Sequence, residues 1–188
     1  MFADLLDLRH PLFWTVDHVL EPAECEHLIQ RIDEAEPELA TINRRDGPEI
    51  DTGVRNNDRV IFDDVELANR LFQRVVDRVP STMHGLQVVG ANERLRCYRY
   101  RPGQRFGPHF DGAFQRSDNE RSILTFIIYL NEGFEGGETT FLDLGEAVGP
   151  RTGLGLFFQH PVLHEGSEVT SGVKYAIRSD IMYSKSEC

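Results

Sequence analysis

The chain has 188 residues, three cysteines and a formal net charge of -11, with 40% hydrophobic and 27% charged residues. That size suits one domain with a sizeable core, and no run approaches the roughly 18 apolar residues of a membrane-spanning helix. The acidic balance opposes an extended nucleic-acid contact, which needs lysine and arginine to displace counterions. Cys25, Cys97 and Cys188 are widely spaced and odd in number, so a disulfide framework and a CxxC metal site are both excluded.

In chain order, the start MFADLLDLRHPLFW lacks a basic segment followed by a long apolar one, and a cytoplasmic setting is the expectation. Glu21 and Pro22 open a helix in which Cys25, Leu28, Ile29 and Ile32 recur at helical spacing, closed by Pro37. The next segment, TINRRDGPEIDTGVRNNDRV, is polar, rich in turn residues and long for a simple connection. It reads either as a substrate loop carrying Arg55, Asn57 and Arg59 or as a solvated excursion. A second helix is predicted over residues 64–79, with Val65, Leu67, Ala68, Leu71, Phe72, Val75 and Val76 as its apolar stripe and Pro80 as its stop.

From Gln87 the pattern changes to short strands separated by glycine, proline and asparagine, the signature of an all-β sandwich or barrel. Strands are predicted over 93–101, 107–110, 122–131, 138–142, 153–159 and 173–183. The alternation of a strand puts Arg96, Tyr98 and Tyr100 on one face and Cys97 on the other, so one face is polar and aromatic. Such a face in a small domain lines a cavity. Arg178 shares a strand face with Lys174, and reads as a cation for a substrate or cosubstrate carboxylate or as the partner of Asp180 or Glu138.

The segment YRYRPGQRFGPHFDGAF holds His109 and Asp111, which extended backbone points to one side. A third ligand from His160 or His164, in FFQHPVLHEGSEV, completes a 2-His-1-carboxylate set with open coordination positions. His10, His18, His27 and His84 have no ligand spacing and read as surface or capping residues.

HFD, GGET and HEG, followed by Lys174 ten residues after His164, resemble the iron(II)- and 2-oxoglutarate-dependent dioxygenases of the prolyl 4-hydroxylase-like family. RNNDRVIF near residue 55 resembles bacterial and plant members of the same branch. The resemblance implies that His109, Asp111 and His164 are the metal ligands and Lys174 the anchor for the far carboxylate of 2-oxoglutarate. Tyr100 and Thr125 match further cosubstrate contacts, and Arg55, Asn57, Arg59, Tyr98 and Arg178 are the candidate substrate residues. Between the two late histidines, the HEG context and the spacing to Lys174 favour His164.

The implied fold is a mainly β double-stranded β-helix, or jelly roll, with N-terminal helices packed on one sheet. It forms a single domain, with residues 1–86 as helical flank and substrate loop and 87–184 as the core. The implied cofactors are Fe(II), 2-oxoglutarate and dioxygen, with ascorbate as a candidate reductant. The implied reaction hydroxylates an unactivated carbon, in a prolyl or other amino-acid side chain of a protein, a peptide or a free amino acid, and no nucleic-acid or membrane partner is expected. The competing readings are a small-molecule hydroxylase of secondary metabolism and a non-catalytic metal-binding sensor.

Overall fold

The computed structural model describes residues 5–44 and 47–185, so Cys188 and part of the polar segment before Arg55 lie outside the described residues. The labelled strands are β1 (Phe13–Val16), β2 (Asp58–Asp63), β3 (Leu86–Ala91), β4 (Arg94–Tyr100), β5 (Phe106–His109), β6 (Glu120–Tyr129), β7 (Thr139–Phe141), β8 (Glu146–Val148), β9 (Gly155–Gln159), β10 (His164–Gly166) and β11 (Lys174–Ser184). Two helices precede the central strands, α1 (Pro22–Glu34) and α2 (Val65–Val75).

The strands form two principal antiparallel sheets. The major sheet runs β1-β9-β6-β11-β4-β2, with β3 on the far end of β11, and the minor sheet runs β8-β7-β10-β5. Tyr129, Leu156, Phe158 and Ala176 of the major sheet share one buried cluster with Phe141 of the minor sheet, so the two sheets enclose a common interior. This mainly β architecture is consistent with a jelly roll.

The helices follow their local chemistry. In α1, Glu21 and Glu24 form a reciprocal capping box around Pro22, whose missing N–H costs nothing in the first turn. In α2, Asp64 accepts a hydrogen bond from the Leu67 amide at 3.0 Å. Cys25, Leu28 and Ile32 of α1 and Leu67, Leu71, Phe72 and Val75 of α2 fall in the same buried cluster as Leu95, Cys97, Phe126 and Ile177. Val65, counted into the α2 stripe from sequence, is instead 60% exposed, whereas Leu67 and Ala68 of the same turn are buried.

The polar segment between the helices is not a free excursion along its whole length. Residues 58–63 form β2, which pairs with β4 from Asp58 opposite Arg99 to Asp63 opposite Arg94. The short apolar, β-branched and aromatic run Val60, Ile61 and Phe62 is the strand signal that the surrounding turn residues obscured.

Gly153 ties the N-terminal strand to the sheets. Its carbonyl accepts from the Val19 amide at 2.9 Å and its amide donates to Tyr129 at 2.9 Å. Its φ is +76°, and a Cβ there would overlap the Leu20 carbonyl oxygen. Gly153→Ala therefore combines left-handed strain with a backbone clash, and should destabilise the fold by about 2–5 kcal/mol. Urea denaturation reads this as a lowered midpoint, and an unchanged midpoint would show that the 19–20 segment yields freely.

Candidate active site

The site lies on the interior face of both sheets, and strand pairing brings its parts together. His164 on β10 pairs directly with His109 on β5. Asp111 follows β5, its amide donating to the His160 carbonyl at 3.2 Å. The ligand atoms of His109, Asp111 and His164 all lie within 4.8 Å of one another. Nε2 of His109 is 3.7 Å from Asp111 Oδ1, and Nε2 of His164 is 3.6 Å from Asp111 Oδ2.

Both imidazoles are locked by their other nitrogen. Nδ1 of His109 donates to the Gly107 carbonyl at 2.8 Å and Nδ1 of His164 to the Val162 carbonyl at 3.0 Å. A carbonyl can only accept, so the proton sits on Nδ1 and the lone pair of Nε2 faces Asp111. Burial, reinforced by His164, pushes the pKa of His109 down to about 4, and burial also lowers that of His164. For Asp111 burial acts upward, but Arg178, His164 and His109 outweigh it and hold the carboxyl well below the usual range. Two neutral imidazoles and one carboxylate are the protonation states that a divalent metal requires.

Asp111 is held from two sides. Arg178 Nη1 lies 2.8 Å from Oδ1, and Thr125 Oγ1 donates to Oδ2 at 2.6 Å. Thr125 Oγ1 also lies 2.9 Å from His160 Nδ1, and His160 Nε2 lies 2.8 Å from Ser122 Oγ. Because the threonine proton is committed to Asp111, His160 must donate from Nδ1, and Nε2 must then accept from the Ser122 hydroxyl. One direction of donation therefore runs from Ser122 through His160 and Thr125 to Asp111.

His160 is buried and its pKa is lowered, mainly by that burial, to about 4, in keeping with a neutral ring. Both of its nitrogens are occupied, whereas Nε2 of His164 is turned to Asp111, which makes His164 the better candidate ligand. Thr125, read from the resemblance as a cosubstrate contact, lies on this buttress of Asp111 and not among the groups around Lys174. A strand-facing threonine beside a metal ligand carries no sequence signal that separates the two roles.

Lys174 lies at the other end of the same pocket, whose lining includes Tyr100, Tyr129, Thr139 and the three metal-ligand candidates. Its Nζ donates to the Gly137 carbonyl at 2.6 Å and sits 5.0 Å and 5.3 Å from the ring centroids of Tyr100 and Tyr129. No carboxylate among the described residues pairs with it, and burial lowers its pKa to about 8. Burial likewise raises Tyr100 to about 12, so its phenol stays a hydrogen-bond donor. A buried ammonium with only a carbonyl and two ring faces for partners suits an anionic ligand. Tyr129 and Thr139, whose hydroxyls bond at 2.7 Å, complete this end and were not singled out from sequence.

The candidate substrate residues fall in different places. Arg55 is buried rather than part of a mobile loop. Its guanidinium lies 4.8 Å from the Tyr98 ring and 4.2 Å from the Phe106 ring, and its Nε donates to Asn57 Oδ1 at 2.7 Å. Phe106 stacks on His109 with centroids 3.6 Å apart, so Arg55 must occupy the opposite face of the same ring. Asn57 is fully buried. These two residues brace His109 from behind, and burial of an entire arginine in a turn-rich segment was not foreseeable from local composition. Arg59 and Tyr98 face the interior side of β2 and β4, while Arg178 divides its guanidinium between Asp111 and Asp180.

Residues 95–179 match the 2OG-Fe(II) oxygenase superfamily. The matched segment contains His109, Asp111, His164 and Lys174, and it is similar to proteins named as prolyl 4-hydroxylases. A provisionally named prolyl 4-hydroxylase of Acanthamoeba polyphaga mimivirus is 38% identical over 101 residues, covering 44% of this chain and 42% of that protein. Prolyl 4-hydroxylase 1 of Arabidopsis thaliana is 27% identical over 184 residues, covering 84% of this chain and 64% of its own length. The chain thus spans less than two thirds of either relative.

The fold is shared with a viral collagen prolyl hydroxylase of Paramecium Bursaria Chlorella virus-1, solved as a 2OG complex (TM-score 0.67, 22% identity, 93% of this chain and 97% of that one). It is shared equally with a Pseudomonas putida prolyl-4-hydroxylase (TM-score 0.67, 19% identity, 95% and 97%). The family's Fe(II), 2-oxoglutarate and dioxygen fit the residues present, with the triad for the metal and Lys174 with Tyr100 for an anionic cosubstrate.

The depressed histidine pKa values have a consequence for the metal-free protein. The unfolded chain takes up protons near pH 6.5, whereas folded His109 and His160 resist protonation until about 4. Stability is therefore full above pH 6.5 and declines as the pH falls towards 4. Denaturation midpoints at pH 7 and pH 5 should show the lower value at pH 5, and equal midpoints would contradict neutral buried imidazoles.

Proposed function

We propose that the protein is a 2-oxoglutarate- and Fe(II)-dependent hydroxylase acting on a prolyl or other amino-acid side chain. The observation that carries this reading is the presence, in one pocket, of three residues that could hold a metal and a buried lysine with no carboxylate partner among the described residues. His109, Asp111 and His164 would hold the iron, and Lys174 and Tyr100 would hold the far carboxylate of the cosubstrate. When bound, iron with 2-oxoglutarate and dioxygen supplies an oxidation that places one oxygen atom in a hydroxyl group on an unactivated carbon and the other in succinate, with release of carbon dioxide.

The protein's own share is orientation and exclusion of water. The Nδ1 hydrogen bonds fix both imidazole planes, the chain from Ser122 to Thr125 fixes the Asp111 carboxylate, and Tyr98, Phe106 and Ile127 exclude water between the two ends. The prolyl side chain is favoured by the names of the curated relatives and of the solved structures that share the fold.

The test is aerobic incubation with Fe(II), 2-oxoglutarate and a panel of proline-containing peptides and free amino acids. Succinate and hydroxylated product should form in equal amounts with at least one member. Tight binding of iron and 2-oxoglutarate without succinate from any substrate would favour a sensor role, and a product formed only from non-amino-acid compounds would favour secondary metabolism.

A further inference from the structure

The interior face of the major sheet continues past the pocket onto β4 and β2, and there it carries an excess of positive charge. Residues directly opposite one another in paired strands share a face. Arg59 is opposite Tyr98, Arg96 is opposite Arg178, and Tyr98 and Arg178 both line the pocket, so all four side chains belong to one surface.

The partners of these arginines do not balance them. Arg96 pairs with Asp180 at 3.1 Å, and Arg178 is shared between Asp180 and Asp111. Arg59 has no carboxylate partner among the described residues, and its guanidinium bonds only to the carbonyl and hydroxyl of Thr41, at 3.5 Å and 2.9 Å. Arg55, behind Tyr98, donates to Asn57, and its Nη2 is buried without a hydrogen-bond partner among the described residues. Of these four guanidinium groups, only Arg96 and Arg178 pair with a carboxylate among the described residues, and they share Asp111 and Asp180. Burial together with Arg55, Arg96 and Arg94 lowers the pKa of Arg59, the mark of a cation held among like charges. In a chain of net charge -11 such a local excess needs a stated reason, since uncompensated charge away from water is costly.

We propose that the primary substrate bears a carboxylate, which docks on Arg59 and Arg96 beside Tyr98 while the carbon to be hydroxylated reaches the metal. The proposal rests on the amino-acid hydroxylase reading and names its substrate class. Arg59 and Arg96 are both partly exposed, so a ligand can reach them, and planar guanidinium groups suit carboxylate geometry. Arg178 stays with Asp111 and Asp180, and Arg55 acts on Phe106 and Tyr98 as a positioning residue. The carboxylate has two possible sources, an acidic residue beside the target in a peptide or the terminal carboxylate of a short peptide or free amino acid.

Calorimetric titration of the Mn(II)- and 2-oxoglutarate-loaded protein, which reports binding without turnover, separates these. The probes are Ac-Glu-Pro-Gly-NH2, Ac-Gln-Pro-Gly-NH2 and Ac-Gln-Pro-Gly-OH. At least one acid-bearing probe should bind tenfold or more tightly than the neutral one, and the probe that gains identifies the source. Arg59→Gln should abolish that gain and Arg59→Lys should keep part of it, with 2-oxoglutarate affinity unchanged in both. Binding of acid and neutral probes within twofold overturns the inference and leaves the hydroxylase reading standing. Failure of every probe to bind, together with no succinate from any amino-acid substrate under aerobic conditions, overturns both.

Discussion

Asp111→Ala should abolish stoichiometric iron binding and also destabilise the metal-free protein. The first effect follows from loss of the only carboxylate of the triad, the second from Arg178, which keeps Asp180 but loses its 2.8 Å contact with Oδ1. Removing one partner of a buried ion pair costs on the order of 3 kcal/mol. Thr125 and His160 would lose the acceptor that orders their hydrogen bonds. His164→Ala should lose iron equally, with a smaller effect on the metal-free fold because its Nδ1 partner is a single backbone carbonyl. His160→Ala should still bind one iron. Iron content after anaerobic reconstitution, with urea denaturation of each metal-free variant, measures both effects. Iron retained by His164→Ala and lost by His160→Ala would reverse the ligand assignment.

Lys174→Met should weaken 2-oxoglutarate roughly a hundredfold or more while iron stays bound. A cosubstrate carboxylate carried to this end of the pocket would meet Tyr100 and Thr139 but no cation, a loss on the order of 3 to 5 kcal/mol. An exposed lysine in an ordinary ion pair would account for at most about 1 kcal/mol. The ammonium has a pKa of about 8, so the unmodified protein's affinity for 2-oxoglutarate should also fall as the pH rises through that value. Binding by Lys174→Met within threefold of the parent would place the anchor elsewhere. Arg178 is a poor substitute, because Asp111 and Asp180 already engage it.

Much of this site is legible in sequence because its chemistry is local. His109 and Asp111 are one residue apart on extended chain, and Lys174 and Arg178 share a strand face by alternation alone. The tie between His164 and His109 needed the resemblance, since β5 and β10 pair across more than 50 residues and no local pattern records that register. The same limit explains Thr125: its face follows from alternation, but its neighbours Asp111 and His160 arrive from two other segments. Arg55 and Asn57 sit in a stretch whose composition reads as solvated loop, and the Phe106 and Tyr98 rings that lie against Arg55 come from other strands. The strand β2 was hidden for a related reason, because its flanks are turn-rich and its register is set by β4.

The most direct measurement is anaerobic titration of 2-oxoglutarate into the Fe(II)-loaded protein, followed by the visible metal-to-ligand charge-transfer absorption. A single iron chelated by the cosubstrate in this pocket predicts a band that saturates at one equivalent in the parent and in His160→Ala. The same band should be absent in His164→Ala and shifted to much higher 2-oxoglutarate concentration in Lys174→Met. A band that forms undiminished in His164→Ala, or none at all in iron-loaded parent protein, would contradict the assignment of this pocket as the site of iron and 2-oxoglutarate.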